Sequence, residues 1–358
     1  MAKLFEPLKI RSVTARNRIW IAPMCQYSCE DQDGVPTNWH LVHLGSRAIG
    51  GAGVVIAEAT AIRPDGRISA WDAGIWNDEQ VEAWKPINAF IREHGAVSGI
   101  QLAHAGRKAS IYRSWSGDGA QSESQGGWQP VSATSEPFPE YNTPHQLSIA
   151  EITELIQQWV DAAKRSVAAG FNLIEIHAAH GYLVHQFLSP LTNQRDDEYG
   201  GSAENRARFL VEIVTGIRKA IGEEIPLLVR FSATDYHPEG FTVEACAEVA
   251  RWCHEAGADL FDISSGGLIT GVKIPLGPGY QVPLSEQLSQ ATQAPVSAVG
   301  LITEAEQAEH ILNTTDIDVI MIARLSLRDP YWPLRAAHEL GVEVDYWPNQ
   351  YLRGKYPS

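Results

Sequence analysis

The chain has 358 residues, 44% of them apolar and 20% charged, a composition that supports a sizeable core and argues against disorder. Its formal net charge of −15 weighs against nucleic acid or an anionic membrane as partner, while leaving room for a local basic pocket. Cys25, Cys29, Cys246 and Cys253 contain no C-x-x-C pair, so neither a disulfide framework nor a thiolate-bound metal or iron–sulfur cluster is expected.

Residues 1–23 are interrupted by Lys3, Glu6, Lys9, Arg11, Arg16 and Arg18. That is not a signal-peptide pattern, and no apolar run reaches membrane-spanning length, so a cytoplasmic protein is expected. Residues 4–18 are predicted to form a small hairpin capping one end of the fold. Strand-like runs follow at 18–22, 53–58, 98–102, 172–176, 225–230, 259–263, 295–298 and 317–322. Amphipathic segments lie between them, notably at 149–169, 203–221, 243–256 and 304–312. Gly170, Gly222, Gly257 and Gly341 read as helix stops, and Asp78, Ser148, Ser202 and Thr303 as N-caps. Eight strands alternating with helices predict a closed (β/α)8 TIM barrel forming a single domain over 1–358; an open doubly wound sheet shares this element order. No G-x-G-x-x-G follows the first strand, so a Rossmann dinucleotide site lacks its fingerprint. The polar, Gly/Ser/Pro-rich stretch 110–146, after the third strand, carries Trp115, Trp128, Phe138 and Tyr141 and is predicted to be an inserted lid. Trp39, Trp71, Trp76 and Trp84 are expected to pack in the core or under the lid.

Barrel enzymes keep their chemistry at the carboxyl ends of the strands. Here those ends carry Pro23, Met24, Cys25, Gln26 and Tyr27, then Ala59, Gln101 and His104, then His177, Arg230, Gly300, Ala323 and Arg324. The fourth strand runs into His177-Ala178-Ala179-His180-Gly181-Tyr182. Two imidazoles can donate hydrogen bonds to a substrate oxygen, and a phenol can hand over a proton. An H-x-x-H pair also suits a metal, but no Glu stands where H-E-x-x-H would place it. Loops after strands seven and eight commonly hold phosphate, so Gly300 and Arg324 suit a phosphate-bearing ligand. With Gln101 and Arg230 facing a polar planar head, flavin mononucleotide (FMN) fits the set. Each residue also has a plain structural reading: Arg230 as an ion-pair partner, Gly300 as a turn glycine, Cys25 as a small buried hydrophobe.

These strand ends, taken with Leu4-Phe5-Glu6-Pro7, Ala22-Pro23-Met24-Cys25-Gln26-Tyr27, Gln101-Leu102-Ala103-His104-Ala105-Gly106-Arg107-Lys108 and Tyr199-Gly200-Gly201-Ser202-Ala203-Glu204-Asn205-Arg206, resemble the old yellow enzymes over nearly the full length. Within that family of flavin-dependent ene-reductases the chain is most similar to the bacterial thermophilic-like branch with its xenobiotic reductases. The resemblance implies an FMN-dependent NADPH dehydrogenase reducing the activated C=C bond of enones, and nitro compounds, by a ping-pong mechanism, with NADPH or NADH as reductant and hydride passing from flavin N5. It implies flavin contacts from Pro23, Met24, Cys25, Ala59, Gln101 and Arg230, and a phosphate end at Gly300, Ala323 and Arg324. Substrate would meet Tyr27, His177 and His180, with Tyr182 as proton donor and Cys25 tuning the flavin. The tail 341–358 would reach a neighbouring subunit and insert Arg353 into its site, implying a homo-oligomer, dimer or tetramer, with no metal. The family usually has Gly-Arg after strand eight; Ala323-Arg324 stands here, which bears on cofactor affinity. Three other readings are a dienoyl-CoA reductase or amine dehydrogenase, a colourless barrel hydrolase or aldolase, and a flavin storage protein.

Overall fold

The computed structural model describes residues 2–356; positions 1, 357 and 358, within the expected domain and tail, lie outside the described residues. In chain order the strands are β1 (Leu8–Ile10), β2 (Val13–Ala15), β3 (Ile19–Ile21), β4 (Val54–Ala61), β5 (Val97–Ala103), β6 (Val131–Ser132), β7 (His145–Gln146), β8 (Leu173–Ala178), β9 (Leu227–Ser232), β10 (Leu260–Ser264), β11 (Val296–Ala298) and β12 (Val319–Ile322). The helices are α1 (Asn38–Ile49), α2 (Asp78–Glu93), α3 (Ile149–Ala168), α4 (Leu183–Leu188), α5 (Ala203–Ile221), α6 (Val243–Glu255), α7 (Val282–Thr292), α8 (Ala305–Thr314), α9 (Arg324–Arg328) and α10 (Trp332–Glu339).

Strands β3, β4, β5, β8, β9, β10, β11 and β12 form a closed parallel barrel, in which β12 pairs with β3 through Ile320↔Ile19 and Ile322↔Ile21. Helices cover the outside, which is why every barrel strand is buried along its whole length and is predominantly apolar, with a few polar residues such as Glu175 and Arg230 set into it. Closure settles the open-sheet alternative against it. The antiparallel pair β1 and β2 is the expected hairpin. Its Ile10 and Ala15 pack with Val54, Val97, Leu173, Leu260 and Val319, the first residues of their strands, so it plugs the amino end of the barrel.

Local signals placed most boundaries. Ser148 and Ser202 cap α3 and α5 by accepting from the amides of Glu151 and Asn205. Two caps differ from expectation. Asn77, not Asp78, caps α2, because its side chain accepts from Gln80 N while Gln80 reaches back in a capping box. At α8 the cap is Glu304, with no side-chain bond, because the Thr303 hydroxyl is turned toward Glu304 Oε1. Trp84 is core, 0% exposed, whereas Trp39 is 54% exposed, its indole N–H donating to Gln26 Oε1 at 3.0 Å; it packs in neither core nor lid. The 110–146 stretch holds a 3-10 turn at Glu123–Gln125 and the short strands β6 and β7. It is pinned to the barrel mouth by Trp128, which donates to Asp65 O, and by Arg113, which donates to Tyr27 O and Glu30.

Candidate functional site

All the expected strand-end residues collect at the carboxyl end of the barrel, in three zones. The first is a cavity of about 130 Å³ between the loops after β11 and β12, lined by Gly300, Thr303, Ala323, Arg324 and Arg328. Gly300 sits at φ +125°, and a Cβ there would come within 2.9 Å of the Tyr280 ring and 3.0 Å of Gln281 Nε2. Only glycine serves at that point. Ala323 takes φ −113°, so the alanine suffers no left-handed strain. No carboxylate among the described residues pairs with Arg324.

The second zone is a buried polar belt across the barrel. Gln101 Nε2 donates to Glu175 Oε1 at 2.8 Å, from the adjacent register position of β8. Arg230 Nε lies 3.0 Å from Asp262 Oδ2, and Ser297 Oγ donates to Asp262 Oδ1. The register His177↔Arg230, Asp262↔Arg230 and Asp262↔Ser297 sets these groups side by side. Burial, then the charge on Asp262, pushes the Glu175 carboxyl up to about 8, against the opposing pull of Arg230 and Gln101. Arg230 is thus the ion-pair partner that one reading of the sequence anticipated, and its guanidinium remains at the strand end where a ligand edge would meet it. Glu175 and Asp262 escaped the sequence reading, although each interrupts an apolar strand on an inward-facing position.

The third zone brings His177, His180 and Tyr182 together. The His177 ring meets His180 edge-on at 5.2 Å between centroids and Tyr182 at 4.9 Å. His177 Nδ1 accepts from the Ala179 amide at 3.2 Å, which leaves the ring proton on Nε2. Burial, then Arg230, depresses both imidazoles well below the usual histidine range, so both are neutral. Burial, then Cys25, raises the Tyr182 phenol well above its usual range, so it is protonated at neutral pH. Cys25, Tyr27 and Tyr182 share one apolar patch with Ile68, Ala105, Ala109 and Trp128. Burial and the carboxylates of Asp72 and Glu58 push the Cys25 thiol up and keep it neutral. Tyr27, at φ 50°, contacts Trp115 at 6.0 Å. Pro23 and Met24 are half-buried beside it and Ala59 is buried. His104 is buried and lowered to about 4, with its Nδ1 accepting from Gly106 N.

Two residues stand differently from the rest. Lys108, noted in the sequence only as part of a motif, donates to both His180 O and Gly267 O at 2.9 Å and lies over the Phe138 and Tyr182 rings. Arg353 is exposed on the turn Asn349–Gly354, and no contact among the described residues joins it to the histidines. Among the described residues no group of three His, Cys, Asp or Glu side chains converges to hold a metal, and no helix is long and apolar enough to cross a membrane.

Residues 3–343 match the family described as NADH:flavin oxidoreductase / NADH oxidase. An NADPH dehydrogenase of Geobacillus sp. (strain WCH70) is 47% identical over 352 residues, covering 98% of both chains. An old yellow enzyme homologue from Zymomonas mobilis superposes with a TM-score of 0.80 at 28% identity, covering 99% of each chain. A 2-naphthoyl-CoA reductase superposes with a TM-score of 0.87 at 30% identity over 94% of this chain but only 52% of its own, so this chain spans about half of that larger protein.

Proposed function

The chain belongs to the NADH:flavin oxidoreductase / NADH oxidase family of FMN enzymes, and from that premise we propose that it reduces the activated C=C bond of α,β-unsaturated carbonyl compounds, and nitro compounds, using NADPH or NADH. The residues present fit the cofactor. A glycine that a Cβ would jam, beside the Arg324 guanidinium, which meets no carboxylate among the described residues, suits a phosphate; Gln101 and the cation of Arg230 suit the polar edge of a flavin. When bound, FMN would supply the two-electron hydride chemistry between a nicotinamide and the substrate's C=C bond.

This chain's own residues then do four things. Arg324 and the Gly300 backbone hold the phosphate, and Pro23, Met24, Ala59 and Ala323 line the cofactor's bed. Arg230 sets positive charge at the ring edge, steadied by Asp262. His177, through Nε2–H, and His180 bind the substrate oxygen and draw charge from the β-carbon. Tyr182 gives its phenolic proton to the α-carbon. Tyr27 lies over the substrate, Cys25 tunes the cofactor as a neutral thiol, and the 110–146 segment serves as the lid. Nicotinamide and enone take turns at one site. The observation that carries this reading is the packing of the His177 ring against both His180 and Tyr182, two neutral imidazoles and a protonated phenol beside the polar belt: neutral rings orient and polarise, and the phenol remains as the proton source. Four free thiols suit the reducing cytoplasm. The exposed Tyr351, Leu352 and Tyr356 of the tail support a homo-oligomer in which Arg353 enters a neighbour's site.

The test is an anaerobic titration of the FMN-loaded enzyme. NADPH should bleach the yellow colour and cyclohexenone should restore it stoichiometrically; bleaching without recovery by any enone or nitro compound sinks the substrate assignment.

A further inference from the structure

His180 is held in a conformation that a histidine does not adopt freely. Its φ is +58°, a left-handed conformation that a non-glycine residue keeps only when the surroundings over-determine it. Three contacts do so. The amide donates to Ser232 Oγ at 2.9 Å, the carbonyl accepts from Lys108 Nζ at 2.9 Å, and the ring Nε2 lies 2.8 Å from Ser264 Oγ. The loop after β10 also presses against it at backbone range: a Cβ on Gly267 would fall 2.8 Å from His180 Cα, and one on Gly181 2.4 Å from Gly267 O.

The ring contact decides which nitrogen carries the proton. Ser264 Oγ has two neighbours, His180 Nε2 at 2.8 Å and Gln281 Oε1 at 3.3 Å. Gln281 Nε2 donates to Val299 O at 2.8 Å, so the amide oxygen is turned toward the serines. That oxygen already accepts from Ser265 Oγ at 2.6 Å, and Ser265 Oγ in turn accepts from Tyr236 OH at 2.9 Å. At 3.3 Å the remaining Ser264 contact lies outside the usual range for a hydroxyl bond, whereas 2.8 Å is typical. The single hydroxyl proton thus has two acceptors within reach, the longer bond to Gln281 Oε1 and the shorter contact to His180 Nε2, and the shorter is the better placed.

We propose that Ser264 is a positioning residue: its hydroxyl donates to His180 Nε2 and holds the ring as the Nδ1–H tautomer, so that Nδ1, which has no partner among the described residues, becomes the donor to the substrate oxygen. His177 is fixed the other way, as Nε2–H, by the Ala179 amide. Two histidines three residues apart thus present donors to one oxygen from opposite ring nitrogens. Without Ser264 as donor, a neutral His180 is free to put its proton on Nε2 and would face the substrate with a lone pair.

The substrate consequence rests on the enone-reductase reading; the tautomer does not. Nitrogen-15 NMR of the FMN-loaded enzyme with labelled histidine should report His180 as Nδ1–H. Ser264→Ala should shift it to Nε2–H and weaken enone binding about tenfold, the loss of one hydrogen bond of about 1.4 kcal/mol. Ser264→Thr, which keeps the hydroxyl, should retain both. An Nε2–H tautomer in the unmodified protein, or an Ala variant with the tautomer unchanged, overturns the proposal. A tautomer that follows Ser264 in an enzyme inert to every enone would uphold the positioning role and defeat the substrate assignment alone.

Discussion

Glutamate 175 makes stability depend on pH in an unusual direction. Its side chain is fully buried, one oxygen holds Gln101 and the other has no partner among the described residues. The folded chain raises its pKa from 4.5 to about 8, so the folded state keeps a proton that the unfolded state releases. The stability this adds is full below about 4.5 and is lost as pH rises through about 8. With one proton at stake the slope approaches about 1.4 kcal/mol per pH unit, so moving from pH 6 to pH 8 removes roughly 2 kcal/mol. At about 2.1 cal/mol/K per residue, an unfolding entropy near 0.75 kcal/mol/K for 358 residues converts this to about 3 °C in Tm. Glu175→Gln keeps a carbonyl oxygen for Gln101 and cannot titrate. Calorimetry of both FMN-loaded proteins at pH 6 and pH 8 should show the variant gaining about 3 °C on the parent between the two. A Tm difference that is the same at both pH values refutes the raised carboxyl.

Three further outcomes follow from the same site. Tyr182→Phe should slow enone reduction by about 10²–10⁴-fold and leave NADPH-driven bleaching within about twofold, read by stopped-flow absorbance; equal slowing of both steps removes Tyr182 as proton donor. Gly300→Ala forces a Cβ into the Tyr280 ring at a strain on the order of 1–3 kcal/mol, and flavin fluorescence on dilution should report FMN bound roughly tenfold or more weaker. Arg353→Ala should impair enone turnover with FMN still bound, and mixing it with Tyr182→Phe should regenerate activity in hybrid oligomers; mixtures no better than either parent place Arg353 outside the neighbour's site.

The barrel was legible because its strands are apolar on both faces and its helices on one, and because Gly170, Gly222, Gly257 and Gly341 all take positive φ at helix ends. What escaped depended on neighbours in space. Glu175 and Asp262 were visible as interruptions of apolar strands, but their partners Gln101, Arg230 and Ser297 sit on adjacent strands whose register no local pattern supplies. Ser264 is one small residue among several, and its meaning comes from a histidine 84 positions earlier. The cap at Asn77 was missed for a local reason, since Asn and Asp adjoin there and only the bond to Gln80 separates them.

The seam between β3 and β12 carries a consequence for how the enzyme is made. Ile19 and Ile320 lie about 300 residues apart in the chain yet pair in the finished barrel. At roughly 5–20 residues per second, a ribosome exposes the first staple tens of seconds before the last. Gly300 and Arg324, the proposed phosphate end, arrive with that final stretch, so that cradle is completed only when the late strands pair with β3. On the proposed reading cofactor loading follows closure of the barrel, and riboflavin supply should limit holoenzyme yield without limiting the amount of folded barrel.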